Sequence, residues 1–185
     1  MPFAIEFSLD DVTSAIVQKT WQKLAEAGLS TYMHTSGARP HVTLDVADQI
    51  DISACEQFLK AFAAVTPSLP VTFSSLGIFP ADPVVVFLAP VVTSDLLALH
   101  DTYSMRFRAH ATNHWKNYLR EHWVPHCTLA MDLPPGTIPR IVEVCQQLTL
   151  PLTGRFTEVG LVEFRPVNWR CAFELTGTST DNSVG

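Results

Sequence analysis

The chain has 185 residues, of which 47% are hydrophobic, and its formal net charge is −6. This length allows one domain or two small lobes with a sizeable core. The negative charge argues against duplex nucleic acid as a partner, because a protein that follows a long phosphate backbone usually carries a broad basic face. Any phosphate groups that the protein binds should therefore be few and localised.

Membrane insertion and secretion are not expected from the sequence. The longest apolar run, VVVFLAPVV at 84–92, is far shorter than the roughly 20 residues of a membrane-spanning helix. The first residues, MPFAIEFSLDD, lack the basic and apolar regions of a signal peptide, so we expect a cytoplasmic protein. Cys55, Cys127, Cys145 and Cys171 lie far apart without a CxxC pair, which favours buried apolar roles over zinc ligation or disulfides.

Hydrophobic periodicity in the first half predicts alternating strands and helices. A strand is expected where apolar residues recur at every second position, and a helix where they recur every three to four. In chain order these are a strand PFAIEFSLD, a helix from Asp10 or Asp11 to about Gly28, a strand PHVTLDV, a helix from about Ile52 to Val65, and strands LPVTFSSLGIF and DPVVVFLAPV.

The second half repeats this plan. The predicted elements are a long helix from about Ser94 to Tyr118, a strand PHCTLAM, a helix from about Ile138 to Leu148, and strands LPLTGRFTEVGLVEF and NWRCAFEL. The residues from 177 to 185 are rich in Ser, Thr, Gly and Asn, which predicts a flexible tail.

One pentapeptide, Pro-His-x-Thr-Leu, occurs twice, at 40–44 and at 125–129. Each copy is followed, after a predicted helix, by a strand that opens Leu-Pro-aliphatic-Thr, at 69–72 and at 150–153. Two such matches in the same order are far more than chance provides, so we interpret them as an internal duplication. One copy alone would be a weak signal.

The alternation of side chains along a strand assigns the motif residues to two faces. His41 and Thr43 share one face and the residues between and after them face the core; His126 and Thr128 are arranged in the same way. This argues against a nucleophilic pair of Cys127 and His126, because adjacent strand residues point to opposite sides of the sheet.

If the two halves pack about a pseudo-twofold axis, two imidazoles and two hydroxyls converge in one cleft. A neutral histidine can then deprotonate a water or hydroxyl while a protonated one donates to the leaving oxygen, as in-line cleavage of a phosphodiester requires. Threonine hydroxyls are suited to bind the non-bridging phosphate oxygens. This scheme needs no metal.

The paired motifs, here HVTL and HCTL, resemble those of the two-histidine (2H) phosphoesterase superfamily, which includes 2′-5′ RNA ligase-like proteins and cyclic nucleotide phosphodiesterases. The resemblance covers about residues 2–176. It implies an α+β protein with a duplicated bilobal fold, in which two antiparallel-type sheets flanked by helices surround a central cleft. It also implies one domain over 1–176, with lobes at about 1–90 and 91–176 whose strands could be exchanged.

The resemblance further implies a metal-independent phosphoesterase, with no cofactor, that acts in RNA processing on 2′,3′-cyclic, 1″,2″-cyclic or 2′-5′ linked nucleotides. By this resemblance His41 and His126 are the catalytic pair, and Thr43 and Thr128 bind the phosphate. We expect a monomer whose partner is a small nucleotide or an RNA terminus, and we favour hydrolysis over ligation because water is the abundant nucleophile.

Several residues near the motifs are candidates for the rim of the cleft. Aromatic rings there could stack on a base, and arginines could pair with phosphate. The candidates are Tyr32, Arg39, Trp123, Arg165 and Arg170. An ordinary packing or surface role is the alternative for each of them.

Two rival functions remain open from the sequence. One is a non-catalytic module that keeps the cleft to hold a nucleotide or RNA end without turnover. The other is a metal-dependent hydrolase that uses His110 and His114, which have the i, i+4 spacing of some zinc sites. The stripe to which these two belong, with His100, Tyr103 and Phe107, is also what a solvated or packed helix face would show.

Overall fold

The structure is a computed structural model and describes residues 1–80, 82–133 and 136–178. Within these residues the strands are β1 (Phe3–Leu9), β2 (His41–Ile50), β3 (Leu69–Phe79), β4 (Val85–Pro90), β5 (Ala111–His114), β6 (Cys127–Ala130), β7 (Leu152–Glu163) and β8 (Asn168–Glu174). The helices are α1 (Asp11–Glu26), α2 (Tyr32–Thr35), α3 (Ile52–Val65), α4 (Ser94–Phe107) and α5 (Ile138–Cys145). None of them combines the length and apolar character that a bilayer crossing requires.

The strands form one antiparallel sheet in the order β5-β2-β1-β7-β3-β4-β6, with β8 paired to β7. Inward from β2 the order reads β2-β1-β7, and inward from β6 it reads β6-β4-β3, so corresponding strands of the two halves occupy equivalent places. The predicted α+β class is confirmed. The predicted pair of sheets is instead one continuous sheet, because β7 of the second half hydrogen-bonds to both β1 and β3 of the first.

The centre of the sheet carries a pseudo-twofold axis. The Leu-Pro-aliphatic-Thr segments at 69–72 and 150–153 lie on or beside β3 and β7, and Thr72 pairs directly with its repeat equivalent, Thr153. Antiparallel pairing of equivalent residues is what a twofold relation between two halves requires. The duplicated halves therefore place their His-x-Thr strands, β2 and β6, in symmetry-related positions.

Helices cover one face of the sheet and bury its apolar side chains. Phe7 of β1 packs against Phe62 of α3 and Phe156 of β7, with ring centroids 6.4 and 5.4 Å away. All three rings are at most 3% exposed. Burial of each such ring contributes on the order of 2–3 kcal/mol. Because the helices seal this face, the polar side chains of the same strands are left on the other.

The helix predicted to extend from Ser94 to Tyr118 is shorter than expected. It ends at Phe107, and a 3₁₀ turn over Arg108–His110 leads into β5. Thr112 and Asn113 favour helix only weakly, and Asn113 has a φ of 58°, in the left-handed region. The open edge of β2 takes this segment as a partner strand instead. The helix predicted to end near Leu148 ends likewise earlier, at Cys145.

The predicted flexible tail lies largely outside the described residues, from 179 onward. Its first residue belongs to the packed structure, because the backbone N–H of Gly177 donates to the carbonyl of Thr66 at 3.0 Å.

Candidate active site

The first Pro-His-x-Thr-Leu motif forms the start of β2. Val42 and Leu44 are fully buried in the core, whereas His41 and Thr43 line a cavity on the opposite side. This division follows from strand alternation. The predicted faces of the first motif are confirmed.

The second motif is built in the same way around β6. His126 directly precedes the strand and lines the same cavity as the first motif, together with Thr128. Cys127 and Leu129 are buried in the core, and burial raises the pKa of the Cys127 thiol to about 12. A thiolate nucleophile next to His126 is therefore not available at neutral pH.

Both histidine rings are held by the same local hydrogen bond. Nδ1 of His41 lies 2.6 Å from the carbonyl oxygen of Arg39, and Nδ1 of His126 lies 2.8 Å from that of Val124. A carbonyl only accepts, so Nδ1 carries the proton in each ring and Nε2 is the nitrogen that exchanges protons. The proline between carbonyl and histidine restricts the residue before it to extended backbone, which accounts for a motif that includes Pro.

The cavity between the motifs has a volume of about 550 Å³, within the range of small-molecule sites. Its polar end carries the two histidines and two threonines. The rest of its wall is largely apolar and aromatic, formed among others by Tyr32, Met33, Val85, Trp115, Tyr118, Phe164 and Val167. The site thus joins a polar end with proton-transfer groups to an apolar wall on which a flat ring could stack.

Two buried tryptophans donate hydrogen bonds to the backbone of the motif threonines. The indole N–H of Trp21 in α1 donates to the carbonyl of Thr128, and that of Trp123 donates to the carbonyl of Thr43, both at 2.9 Å. Each tryptophan lies in the half of the chain opposite to the threonine it binds. These bonds therefore tie the two motifs across the pseudo-twofold axis.

This placement corrects the expectation for Trp123 as a rim residue. Its side chain is 9% exposed and stacks on the His100 ring, with centroids 3.9 Å apart and an angle of 7° between the planes. The ring is buried behind Thr43, so it cannot serve as a stacking platform at the cavity rim. Loop position near a motif could not distinguish these two roles.

Replacing Trp123 with phenylalanine should lower the free energy of unfolding by about 1–3 kcal/mol, because the buried carbonyl of Thr43 loses its donor. The equivalent Trp21→Phe change should cost a similar amount at Thr128. Trp169→Phe is the matched control, since in the described part of the chain the buried indole nitrogen of Trp169 has no hydrogen-bond partner. Urea denaturation measures the free energy of unfolding of all three variants. An equal loss for Trp169→Phe would show that the lost hydrogen bond is not the cause.

A carboxylate from outside the two motifs also lies in the cavity. Glu6 of β1 is 7% exposed, and its Oε1 lies 3.3 Å from Nε2 of His41. The signal was present in the sequence: Glu6 alternates with Ile5 and Phe7 and so falls on the polar face of the first strand. Trp115, Tyr118 and Phe164 were missed too, the first two because they were assigned to a helix or its end.

The two histidines differ in their surroundings. His126 contacts the rings of Phe79 and Phe87, with centroids 5.0 and 5.3 Å away. Burial lowers the pKa of His126 from 6.5, and the nearby charge of His41 lowers it further, whereas the hydrogen bond to Val124 opposes this. His126 is therefore neutral at pH 7 and has Nε2 free to accept a proton.

Tyr32 and Arg165 lie together at the cavity wall, as expected for rim residues. The guanidinium of Arg165 lies 5.7 Å from the centre of the Tyr32 ring, and it also contacts Asp132 at 3.4 Å. Burial raises the pKa of the Tyr32 hydroxyl. Arg165 is half exposed and lines the cavity together with Asp132, its ion-pair partner.

Arg39 and Arg170 lie outside the cavity. Arg39 bonds to Glu158 at 2.7 Å, lies over the Trp169 ring at 4.2 Å and faces a neighbouring hollow. Arg170 pairs with Glu163. The structure therefore gives these two arginines structural partners, in contrast to the predicted contact with phosphate.

The structure separates His110 and His114, which the predicted helix placed one turn apart. His110 lies in the 3₁₀ turn and its ring packs on Phe58 at 5.5 Å, whereas His114 is on β5 and bonds through Nδ1 to the buried Asp45 at 2.8 Å. Among the described residues no three His, Cys, Asp or Glu side chains form a metal-binding group. The helical zinc pair considered above is therefore not formed.

The sequence profile of the 2′-5′ RNA ligase superfamily matches residues 13–168, which include both motifs and most of the sheet. The chain belongs to the 2′-5′ RNA ligase superfamily. The proteins of this superfamily are 2H phosphoesterases, so the predicted family is confirmed and the protein is an enzyme that acts on phosphodiester bonds. No protein of curated function matches the chain in sequence.

Solved structures from this superfamily share the fold at low sequence identity. TT0787 of Thermus thermophilus is 16% identical, with a TM-score of 0.61, and the match covers 97% of this chain and 100% of TT0787. E. coli LigT, solved with 3′-AMP, is 17% identical, with a TM-score of 0.57 and 95% and 99% coverage. Usb1 of Kluyveromyces marxianus is 12% identical, with a TM-score of 0.50 and 91% and 96% coverage.

Proposed function

We propose that the protein hydrolyses a cyclic (2′,3′- or 1″,2″-) or 2′-5′ linked phosphodiester of a small nucleotide or RNA end, with His41 and His126 as general acid and base. The observation that carries this proposal is that both motif histidines and both motif threonines line one cavity. Each ring has its Nδ1 proton fixed by a backbone carbonyl, so only Nε2 is free to transfer a proton.

The different surroundings of the two histidines favour one assignment of roles. His126 has a lowered pKa and is the base, which takes a proton from the attacking water. His41, whose Nε2 faces the Glu6 carboxylate, is the acid. As the water oxygen bonds to phosphorus and the bond from phosphorus to the leaving oxygen breaks, the Nε2 proton of His41 passes to that oxygen. Thr43 and Thr128 donate hydrogen bonds to the non-bridging oxygens, where charge accumulates.

The rest of the cavity suits a nucleoside. Its volume of about 550 Å³ accommodates a mononucleotide, and Tyr32, Trp115 and Phe164 offer aromatic surface for a base. LigT, which shares the fold, has been solved in complex with 3′-AMP and with ATP. The net charge of −6 agrees with a small substrate or a chain terminus rather than a long duplex.

A turnover assay on a panel of 2′,3′-cyclic, 1″,2″-cyclic and 2′-5′ linked nucleotides tests this proposal against the rival binding module. We expect multiple turnovers on at least one member of the panel, also in the presence of a chelator. Calorimetric titration with the same compounds is run in parallel. Binding without turnover on every compound would contradict the proposed hydrolysis, and activity lost to the chelator would contradict the metal-independent scheme.

The pH dependence should be bell-shaped, with its acidic half-point below pH 6.5, because that limb reports protonation of His126, whose pKa is lowered from this value. As pH falls through the lowered pKa, His126 gains a proton and can no longer act as base, so the rate falls. Measuring kcat/KM from pH 4.5 to 9.5 checks this. An acidic half-point above 6.5 would contradict the assignment of His126 as the base.

A further inference from the structure

Glu6 is an unexpected residue in a site for phosphodiesters. It lies in the middle of β1, paired with Thr43 of β2 and Gly160 of β7, and its side chain is 9% exposed. A buried carboxylate repels an anionic substrate and costs several kcal/mol to desolvate unless a cation or a proton neutralises it. A packing role would be filled at lower cost by an apolar residue of similar size.

The contact with His41 identifies what neutralises the carboxylate. Oε1 of Glu6 and Nε2 of His41 are 3.3 Å apart. Nδ1 of the same ring already donates its proton to Arg39 at 2.6 Å. Without a further proton both facing atoms are acceptors, so the contact is attractive only when one proton lies between them. The pair therefore shares one proton between Oε1 of Glu6 and Nε2 of His41.

The other groups around the pair do not replace this contact. Burial raises the pKa of Glu6, whereas His41 and then Arg39 oppose the increase. The titratable and charged groups that face the pair from the surrounding elements are Arg39, Tyr32, Tyr118, Cys127 and His126. Of these, Arg39 is committed to Glu158 and Trp169. The partners of the His126 ring are instead the phenyl rings of Phe79 and Phe87.

We propose that Glu6 is a positioning residue for His41: its carboxylate fixes the ring with Nε2 toward the cavity and retains the proton that this nitrogen delivers to the leaving oxygen. This inference rests on the proposed function, since it concerns the acid of that reaction. It also accounts for the asymmetry of a duplicated site. The two motifs supply identical histidines, and a residue outside the motifs makes one of them the acid.

Glu6→Gln is the direct test, because the amide keeps the size of the side chain and removes its charge. We expect the alkaline limb of the kcat profile to move by about one pH unit to lower pH, since an opposite charge at this distance stabilises a cation by about that amount. The loss of kcat should be small near pH 6 and about tenfold above the shifted limb. Glu6→Asp keeps the charge, so it should move the alkaline limb less than Glu6→Gln does.

Glu163→Gln is a matched control. Glu163 is also a buried strand carboxylate, 7% exposed and paired with a cation, but that cation is Arg170. This variant should lower the thermal unfolding midpoint without moving the alkaline limb. A loss of kcat that is equal at every pH in Glu6→Gln would reveal a merely structural role and overturn the proposal.

A second measurement needs no substrate. The ring ¹⁵N resonances of His41 in the free protein report the contact that its Nε2 makes, and the Nε2 resonance should move in Glu6→Gln. An unchanged Nε2 resonance overturns the inference even if the enzyme is active. If instead the resonance moves but no compound of the panel is turned over, the contact is as inferred and the proposed reaction is at fault.

Discussion

Replacing either His41 or His126 with alanine should lower kcat by on the order of 10²–10⁴, since each removes one proton transfer from the reacting centre. KM should change much less, because in the proposed complex the nucleoside part of the substrate contacts the apolar wall rather than the imidazoles. Steady-state kinetics on the best substrate of the panel measures both constants. The two losses should be largest at opposite ends of the pH range. His41→Ala should lose most at low pH, where a general acid is protonated, and His126→Ala should lose most at high pH, where a general base is unprotonated.

The control for this prediction is His122→Ala, an exposed histidine four residues before the second motif histidine. It should retain the kcat of the wild type. The double variant His41→Ala, His126→Ala should lose little more than the worse single variant, because both groups act in one concerted step. Full multiplication of the two losses would show that the histidines act independently and would contradict a shared phosphorus centre.

Replacing Thr43 or Thr128 with valine should lower kcat by on the order of 10²–10³, the cost of removing one donor to a developing oxyanion. Valine keeps the shape of the side chain and favours a strand, so the fold should persist. Threonine to serine at the same positions keeps the hydroxyl and should recover most of the rate. Kinetics and thermal unfolding of each variant measure the two effects separately.

Thr72→Val serves as the control for the valine series. Thr72 lies on β3 at the pseudo-twofold axis and its partner there is Thr153, away from the cavity. The same chemical change there should leave kcat unaltered. If Thr43→Val and Thr128→Val lose no more activity than this variant, the hydroxyls do not bind the phosphate oxygens.

The sequence was sufficient to predict the duplicated strands and the faces of their motif residues. Alternation alone assigned His41 and Thr43 to one side of β2, and Val42 to the core. The repeated pentapeptide extended this to the second half and implied a twofold relation. These features are local or repeated, so each can be inferred from short stretches of the chain.

Features that depend on tertiary contacts could not be predicted in this way. The segment after Phe107 has helical spacing of its apolar and aromatic residues, yet it forms β5 because the edge of β2 offers hydrogen-bond partners. Trp123 precedes the second motif in sequence, as a rim residue would, but its side chain is buried and donates a hydrogen bond to the carbonyl of Thr43. The pairing of β1 beside β2, which brings Glu6 to His41, depends on the order of strands in the folded sheet.

The most direct test of the central claim is a crystal structure of the protein with a 2′- or 3′-nucleotide, the product of the proposed reaction. We predict that the phosphate lies within about 2.7–3.2 Å of Nε2 of both His41 and His126, with the base against the aromatic wall. A phosphate that contacts only one of the two rings, or that binds at Arg39 in the neighbouring hollow, would contradict it.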